Sequence, residues 1–248
     1  MVEQKEQEPA MNEQVTWSWA GMVRGMRSII PLALGGLPDG IVWGVLAHHA
    51  GLSLGEVLLM SGLVCAGSAQ FLAIKQWSVP LAAGAILPII GTTLIVNLRY
   101  LLLGAALRPW FAHLRPTRTY LSLFFMSDEN WALTMREFME ERRDAAFLLG
   151  SGLLLFVSWV SATVIGKIVG MAISDPMQWG LDFVFTAVFL TLLIGMWKGK
   201  SDLLPWVVAA IVAIGADRLL PGSWYILLGS LAGSLVGAIT SGGEKNVE

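Results

Sequence analysis

The chain has 248 residues, of which 55% are hydrophobic and 14% are charged, and its formal net charge is -2. Soluble domains carry about 25% charged residues, and the mean hydropathy here is +0.67, so the composition excludes water-soluble enzymes and disordered proteins. The negative charge leaves no basic surface for nucleic-acid phosphates. Because one helical crossing of a bilayer needs about 20 residues, the sequence predicts an all-α, polytopic membrane protein with about six to eight membrane segments.

The N-terminal residues do not have the pattern of a signal peptide. The first fourteen residues include Glu3, Glu6, Glu8 and Glu13. A signal peptide has a basic start and an apolar core, so we expect residues 1–20 to form a flexible cytoplasmic tail. Residues 21–241 are predicted to be one transmembrane transport domain, and residues 242–248 a short polar tail. The single cysteine, Cys65, excludes an internal disulfide and a multi-cysteine metal site.

Eight apolar runs follow in chain order. They lie at about 28–50, 53–77, 80–107, 118–135, 145–170, 180–197, 203–220 and 223–240. They are too long for barrel strands and show no strand-type alternation, so we predict helices. Three runs contain helix-breaking or polar residues, at 35–40, 66–70 and 127–130. Because broken or re-entrant helices are the best sequence indicator of a transporter's substrate site, we place that site in the N-terminal half.

The arginines give a partial topology. Arg24 and Arg27 precede the first run and predict a cytoplasmic N-terminus. If every run crosses once, the arginine-containing intervals 108–118 and 136–143 fall on opposite sides. Two arrangements stay open: eight crossings with one violation of the positive-inside rule, or a re-entrant run 118–135 together with one earlier re-entrant run. Both place the N- and C-termini in the cytoplasm.

Two motifs have a structural explanation. Ser53 and Glu56 match a capping box, which predicts that Glu56 satisfies backbone amides at a helix start. The last run carries Gly229, Gly233 and Gly237 at four-residue spacing, which allows another helix to approach closely. Packing within the chain is the favoured interpretation of these glycines, and an interface with a partner is the alternative.

Charged residues within the runs are the main candidates for a site, because they are costly in a membrane and usually functional. Asn97 and Arg99 lie about two-thirds along run 80–107. Arg99 cannot lose its proton, so it needs a carboxylate, backbone carbonyls or an anionic ligand, and Asp128 and Glu129 are natural partners. Two interpretations stay open: a structural ion pair, or an arginine that receives a substrate carboxylate beside an acid that binds the substrate's amine or carries a proton.

Three further residues lie at the predicted breaks. Asp39, beside Pro38, combines a carboxylate with unwound backbone, which suits an ammonium group, a sodium ion or a proton. An N-cap role for Asp39 is the alternative. Ser68 and Gln70 can hydrogen-bond a zwitterion or a neighbouring helix. Because no enzyme motif is complete, and His48–His49 is not followed by zinc-ligand spacing, we predict neither enzymatic activity nor a metal or other cofactor.

In order along the chain, these segments resemble the AzlC/YgaZ family, the large subunit of bacterial branched-chain amino acid exporters. The resemblance extends from about Gly21 to Gly237. Four motifs carry it: 35–44 followed by Gly51-Leu52-Ser53 and Glu56, Ala66-Gly67-Ser68-Ala69-Gln70-Phe71, Asn97-Leu98-Arg99-Tyr100, and Ser127-Asp128-Glu129. Tyr100 stands at the family's usual histidine position, which weakens a histidine proton relay, and Ser127 replaces threonine while keeping the hydroxyl.

The resemblance implies export of leucine, isoleucine and valine, with methionine as a further candidate, across the bacterial cytoplasmic (inner) membrane. The carboxylates within the apolar runs indicate that this export is coupled to protons. The resemblance also implies a separate small membrane subunit of the AzlD/YgaH type, with a higher oligomer as an open alternative. The expected substrate-binding residues are Asp39, Ser68, Gln70, Asn97 and Arg99. Asp128 or Glu129 is expected to carry the coupling proton, with its pKa raised by burial. The alternatives are a non-transporting membrane scaffold and a channel.

Overall fold

The computed structural model describes residues 15–77, 81, 83–111, 113–140, 142–174, 199–220 and 224–244, together with isolated positions between 178 and 197. Residues 1–14 of the predicted tail, half of the predicted run 180–197 and residues 245–248 lie outside the described residues. The regular structure of the described part is helical, apart from one β-bridge between Thr16 and Asp144.

The helices follow the predicted apolar runs. In chain order they are α1 (Trp19–His49), α2 (Leu54–Val64), α3 (Gly67–Lys75), α4 (Ala83–Asn97), α5 (Arg99–Phe111), α6 (Pro116–Phe124), α7 (Asp128–Met139), α8 (Ala146–Gly170), α9 (Leu203–Leu219) and α10 (Trp224–Glu244). Among the described residues, three segments are long and apolar enough to cross a membrane: α1, Gly84–Phe111 (α4 with α5) and α8. The prediction of a polytopic helical membrane protein is therefore confirmed.

The predicted break at residues 35–40 is wrong, because α1 continues through it to His49. Proline at position 38 removes one backbone donor, at a cost of about 3 kcal/mol. Opening the helix would leave more backbone groups unsatisfied in apolar surroundings, so continuing the helix costs less. An N-cap role for Asp39 is wrong for the same reason, since no second half-helix begins there.

The predicted break in the second run is confirmed. Cys65 ends α2 in the left-handed conformation, with φ +48°, and extended Ala66 precedes α3. The prediction put the interruption at 66–70, whereas four of those five residues form the start of α3. The first turn of α3 therefore lies directly after a sharp change of chain direction.

Two further interruptions separate helices in the third and fourth runs. Leu98 separates α4 from α5, which the sequence did not predict. The predicted interruption of the fourth run is present at 125–127, slightly earlier than expected. Ser127 and Asn130 form a capping box there, because the Ser127 N–H donates to Asn130 Oδ1 over 2.7 Å. Asp128 and Glu129 consequently occupy the first turn of α7.

The described chain divides into two compact units. The described residues within 1–36 and 100–159 form unit 1, and the described residues within 37–99 and 160–248 form unit 2. Helices α1 and α8 contribute residues to both units.

In unit 1, the starts of α1 and α8 run parallel and are held together by Asp144. The Thr16 N–H donates to the Arg143 carbonyl over 2.9 Å. The Asp144 carboxylate accepts from the Ser18 hydroxyl and from the Ser18 and Ala146 N–H groups. A Cβ added at Gly21 would lie 2.2 Å from that carboxylate, so a larger residue would displace the carboxylate from its hydrogen bonds.

Six buried apolar side chains form a core cluster among the described residues of unit 1: Leu107, Phe111, Met126, Phe138, Ala145 and Leu148. Trp110 stacks on Phe138 at 4.6 Å between ring centroids. Trp131 donates from Nε1 to the Leu103 carbonyl over 3.0 Å. These contacts hold α7 against α5 within the unit.

In unit 2, the later parts of α1 and α8 pack at backbone contact. A Cβ added at Gly44 would lie 2.2 Å from the Thr163 carbonyl oxygen, and one added at Gly166 would lie 2.0 Å from the Ile41 carbonyl oxygen. Because backbone atoms cannot rotate away, both positions require glycine for this approach. The contact places Thr163 of α8 in the interior of unit 2.

Helices α9 and α10 pack closely through the predicted glycine stripe. Added Cβ atoms would lie 2.9 Å from Ala213 Cβ at Gly229 and 2.8 Å from Ala209 Cβ at Gly233. The favoured interpretation of this stripe, packing within the chain, is confirmed.

Candidate functional site

The start of α3 is the centre of the candidate site in unit 2. Arg99, at the start of α5, donates from Nη2 to the Ser68 hydroxyl over 3.1 Å. Helices α3 and α4 run antiparallel, because Ser68 at the start of α3 bonds to Arg99 just after the end of α4, and Gln76 just after the end of α3 donates to Thr92 in the middle of α4 over 3.4 Å. The structure thus brings together Ser68 and Arg99, two of the predicted substrate-binding residues.

A second polar group connects α3 with α2 and α8. Gln70 donates from Nε2 to the Ser61 hydroxyl over 3.2 Å, and Ser61 donates to Thr163 Oγ1 over 3.3 Å. Thr163 donates in turn to the carbonyl of Val160 over 2.9 Å. The side chains of Ser61, Gln70 and Thr163 are fully buried, so these bonds lie away from competing water.

The two polar groups lie on different sides of α3. Residues two apart on a helix do not face each other, so Ser68 turns toward Arg99 while Gln70 turns toward Ser61. Between them lies the first turn of α3, whose N-cap residue, Ala66, forms no side-chain cap. The N–H groups of a first helical turn have no acceptor within the helix and favour negative charge.

Some buried polar atoms in unit 2 have no hydrogen-bond partner among the described residues. The Asn97 amide oxygen, an acceptor, and the Trp43 indole nitrogen, a donor, are two of them. Asn97 ends α4 two residues before Arg99. Most buried polar atoms in proteins are paired, and an exception calls for an explanation. At Asn97, a ligand with N–H donors is one such explanation.

The other predicted residues are distributed over both units. Asp39 belongs to unit 2 and is half-buried on α1. Asp128 and Glu129 belong to unit 1, where Asp128 is half-buried and Glu129 is exposed. Both carboxylates lie in the first turn of α7. The pairing of Asp128 with Arg99 stays a prediction.

An ion-pair network in unit 1 was missed by the sequence reasoning. Glu137, 12% exposed, lies 2.9 Å from Nε of Arg24 and 3.5 Å from Nη1 of Arg142. Glu137 and Asp144 lie near a polar interval, where a charged residue is usually solvated, so no local pattern singles them out. Ser61 and Thr163 were also missed, since one hydroxyl in an apolar run is common in membrane helices.

Charged side chains stabilise the turn between the end of α1 and the start of α2. The Glu56 carboxylate accepts from the Ser53 N–H over 2.7 Å, and the Glu56 N–H donates to the Ser53 hydroxyl over 3.2 Å. The predicted capping box is therefore confirmed. Lys167 of α8 donates to the carbonyl of Leu52, which ties α8 to the turn between α1 and α2.

A metal site and a surface groove are two other kinds of site that a protein of this size can hold. The part of the chain that the structure describes contains no cluster of three or more histidine, cysteine, aspartate or glutamate side chains able to hold a metal ion. An open groove of about 640 Å³ follows α1 in unit 1 and is lined by Trp19, Ala20, Val23, Arg24, Arg27 and Ser28. None of the predicted site residues lines this groove.

Taken together, long apolar helices and polar side chains at helix breaks define a polytopic helical membrane protein of the transporter class. The family described as AzlC protein matches residues 31–173, which include every predicted site residue. This chain belongs to the AzlC family.

Relatives match over most of their length. The branched-chain amino acid transport protein AzlC of Bacillus subtilis is 29% identical over 235 residues, which cover 90% of each chain. The inner membrane protein YgaZ of Escherichia coli is 27% identical over 229 residues, again 90% of each chain. An uncharacterized membrane protein of Archaeoglobus fulgidus is 29% identical over 225 residues, 88% of this chain and 93% of the relative. No solved structure matches the chain significantly.

Proposed function

We propose that this protein exports branched-chain amino acids (leucine, isoleucine, valine and also methionine) across the cytoplasmic membrane, and that unit 2 holds the substrate. The observation that carries the proposal is the Arg99–Ser68 hydrogen bond at the uncapped start of α3. The name of the Bacillus subtilis relative supports the substrate class. Each part of the proposed substrate then has a chemical counterpart in unit 2.

The carboxylate of the substrate binds at the start of α3. The guanidinium of Arg99 supplies a permanent positive charge with several donors, and the first-turn N–H groups of α3 supply further donors. Ser68, which already accepts from Arg99, orients the guanidinium. This arrangement favours a carboxylate over a neutral group at the same position.

The ammonium group of the substrate binds acceptors on the neighbouring segments. Asn97 Oδ1 is buried and without a partner among the described residues, so an N–H donor from the substrate would satisfy it. Gln70 supplies a second amide oxygen, and Asp39 supplies a carboxylate on α1. The branched side chain lies among apolar residues, as the composition of these helices requires.

Proton coupling is assigned to Asp128 or Glu129. Both are carboxylates on an interrupted run, the kind of residue that forms proton relays in transporters. Asp128 is the first choice of the two because it is half-buried, whereas Glu129 is exposed. Protonation of one carboxylate per cycle would drive export at the expense of the proton gradient.

Contacts at the starts of α1 and α8 support the proposed orientation of the chain in the membrane, with its N-terminus in the cytoplasm. The bridge between Thr16 and Asp144 puts the starts of α1 and α8 at the same end of unit 1. Arg24, Arg142 and Arg143 lie near these starts. Arginines concentrate on the cytoplasmic side, so we assign that side to the starts of both helices and to the N-terminus of the chain.

A small membrane subunit of the AzlD/YgaH type completes the exporter. Helices α4 and α5 expose long apolar side chains, with Leu87 77% and Leu102 75% exposed. An added Cβ at Gly84 or Gly91 on α4 would meet nothing within 4 Å. Small residues of this kind let a partner helix approach closely, so this face of α4 is the proposed contact for the subunit.

Efflux of preloaded labelled leucine tests the proposal. Cells express the chain with and without the small subunit, as wild type, as Arg99→Gln, and as Arg136→Gln. Arg136 is a matched control, because its ion pair with Glu140 is exposed. We expect leucine efflux that depends on the partner and that an uncoupler abolishes. The efflux rate should fall about 30-fold or more in Arg99→Gln and should equal that of wild type in Arg136→Gln. Absence of leucine efflux from the well-folded wild-type complex would refute the proposal and favour a scaffold.

A further inference from the structure

The open groove along the start of α1 in unit 1, called the α1 groove below, has no part in the proposed transport of amino acids. Its volume is about 640 Å³. The described residues that line it include two arginines, Arg24 and Arg27, and no acidic side chain. The other described lining residues are Trp19, Ala20, Val23 and Ser28. The groove therefore combines positive charge with mainly apolar surface.

The two arginines of the α1 groove differ in their ion pairs. Arg24 donates from Nε to Glu137 over 2.9 Å, and its side chain is still 37% exposed. Arg27 is exposed and forms no ion pair with another residue that the structure describes. Glu137 therefore holds the Arg24 guanidinium in place and offsets its charge. The charge of Arg27 has no such counterpart in the described part of the chain, and an anion in the groove would supply one.

The length of α1 places the groove at the depth of the lipid headgroups. The helix has 31 residues and is about 46 Å long, whereas the hydrocarbon core of a bilayer is about 30 Å thick. The apolar run at about 28–50 is long enough to cross that core, so the turns before Ser28 extend into the headgroup layer. Exposed tryptophans concentrate in this layer, and Trp19 is 71% exposed.

Exposed apolar side chains continue along α1 from the groove toward the hydrocarbon core. Residues seven positions apart lie on the same face of a helix, so Leu34 follows Arg27 on one face, about 10 Å further along the axis. Leu34 is 60% exposed, and Ile30, which lies between the two, is 44% exposed. A cation at headgroup depth with apolar side chains beneath it matches a phospholipid, because the phosphate and the acyl chain are stacked in the same order.

We propose that the α1 groove binds one anionic phospholipid. The phosphate accepts from the guanidinium of Arg27 and from the Nη groups of Arg24, and an acyl chain lies along Ile30 and Leu34. Arginine suits this role because its planar donor fork matches two phosphate oxygens. Basic pockets at the ends of membrane helices are a known kind of site for anionic headgroups. The proposal goes beyond the proposed function, since it needs no amino acid substrate.

The net charge of the headgroup decides which lipids the groove prefers. Phosphatidylglycerol carries one negative charge, which offsets the charge of Arg27. Phosphatidylcholine carries the same phosphate, but its own ammonium group cancels the charge. We therefore expect the groove to bind phosphatidylglycerol about fivefold or more tightly than phosphatidylcholine, the contribution typical of one arginine beside an anionic lipid.

Native mass spectrometry of the purified full chain, co-expressed with the proposed small subunit, measures these affinities. The probes are dioleoyl phosphatidylglycerol and dioleoyl phosphatidylcholine, which have identical acyl chains. Arg27→Gln should lower the affinity for phosphatidylglycerol about fivefold and remove the preference between the two lipids. The fold should stay intact in this variant, because Arg27 is exposed.

Two controls separate a lipid site from general attraction of anions. Arg136→Gln makes the same change in net charge at an exposed ion pair outside the groove, and it should bind phosphatidylglycerol as wild type does. Glycerol 3-phosphate carries a phosphate without acyl chains, and it should not displace the lipid. Displacement by glycerol 3-phosphate at the concentration of the lipid would contradict a site for a whole phospholipid.

The remaining outcomes identify other occupants of the groove. Equal affinities of wild type for the two lipids, or equal losses in Arg27→Gln and Arg136→Gln, would overturn the proposal. Loss of the small subunit from Arg27→Gln, with the affinity for phosphatidylglycerol retained, would assign the groove to that subunit instead. Faster tryptic cleavage after Lys5 in Arg27→Gln, with no lipid preference in wild type, would assign it to the acidic N-terminal segment of the chain.

Discussion

Replacing Gly166 by alanine tests the close packing of α1 and α8 in unit 2. The added Cβ would lie 2.0 Å from the Ile41 carbonyl oxygen and 2.7 Å from its carbonyl carbon, whereas real Cβ contacts stay above 3.0 Å. The obstacle is backbone, so no rotamer change relieves it and the two helices must separate by about 1 Å or more.

The free energy of this change combines two opposing effects. Overpacking costs about 1–3 kcal/mol, and alanine gains about 1 kcal/mol over glycine in helix propensity. Because the obstacle cannot rotate away, we expect overpacking near its upper value and a net destabilisation of about 1–2 kcal/mol. For a chain of this size, that corresponds to a fall in Tm of about 4 °C.

Thermal unfolding of the purified protein in detergent, followed by tryptophan fluorescence, measures the Tm. The matched control is Gly91→Ala on α4, where an added Cβ would meet nothing within 4 Å. Gly91→Ala should have an unchanged or higher Tm, because only the gain in helix propensity applies. Equal Tm values for Gly166→Ala and Gly91→Ala would refute the reasoning about the packing of α1 on α8.

Three further predictions concern other parts of the chain. Asp128→Asn should abolish pH-driven leucine efflux and preserve leucine counterflow, and pH dependence equal to wild type would remove Asp128 as the proton carrier. Glu137→Gln should lower the free energy of unfolding by about 1–2 kcal/mol, because it leaves Arg24 and Arg142 without their buried partner. Tm measured at low and at high salt checks this prediction, and a Tm equal to that of wild type would contradict it. Cys65→Gly should unfold at or above the wild-type Tm, whereas Cys65→Val should lose about 1–2 kcal/mol, since a β-branched residue resists a φ of +48°.

The helices were the part of the fold most open to prediction from sequence. Long apolar runs have no stable alternative to helix in a membrane, so their approximate bounds followed from composition. The capping box at Ser53 and Glu56 was predictable because both side chains act within four residues. The break at 35–40 was predicted wrongly, because proline and glycine weaken a helix without deciding whether its surroundings keep it continuous.

The candidate site was only partly predictable. Arg99 and Gln70 stood out because such side chains are rare in apolar runs. Ser61, the partner of Gln70, did not stand out, because the bond between the two side chains depends on the change of chain direction at Cys65. The hydrogen bond between Ser61 and Thr163 joins residues that are 102 positions apart, and pairing at that distance leaves no local sequence pattern.

The most direct test of the central claim is equilibrium binding of labelled leucine to the purified exporter, because binding needs neither a proton gradient nor a known direction of transport. Wild type and Arg136→Gln should bind leucine with equal affinity, and Arg99→Gln should bind it about 30-fold or more weakly, since the substrate carboxylate loses its cationic partner. Equal leucine affinity in wild type and in a folded Arg99→Gln variant would contradict the assignment of the substrate site to the start of α3.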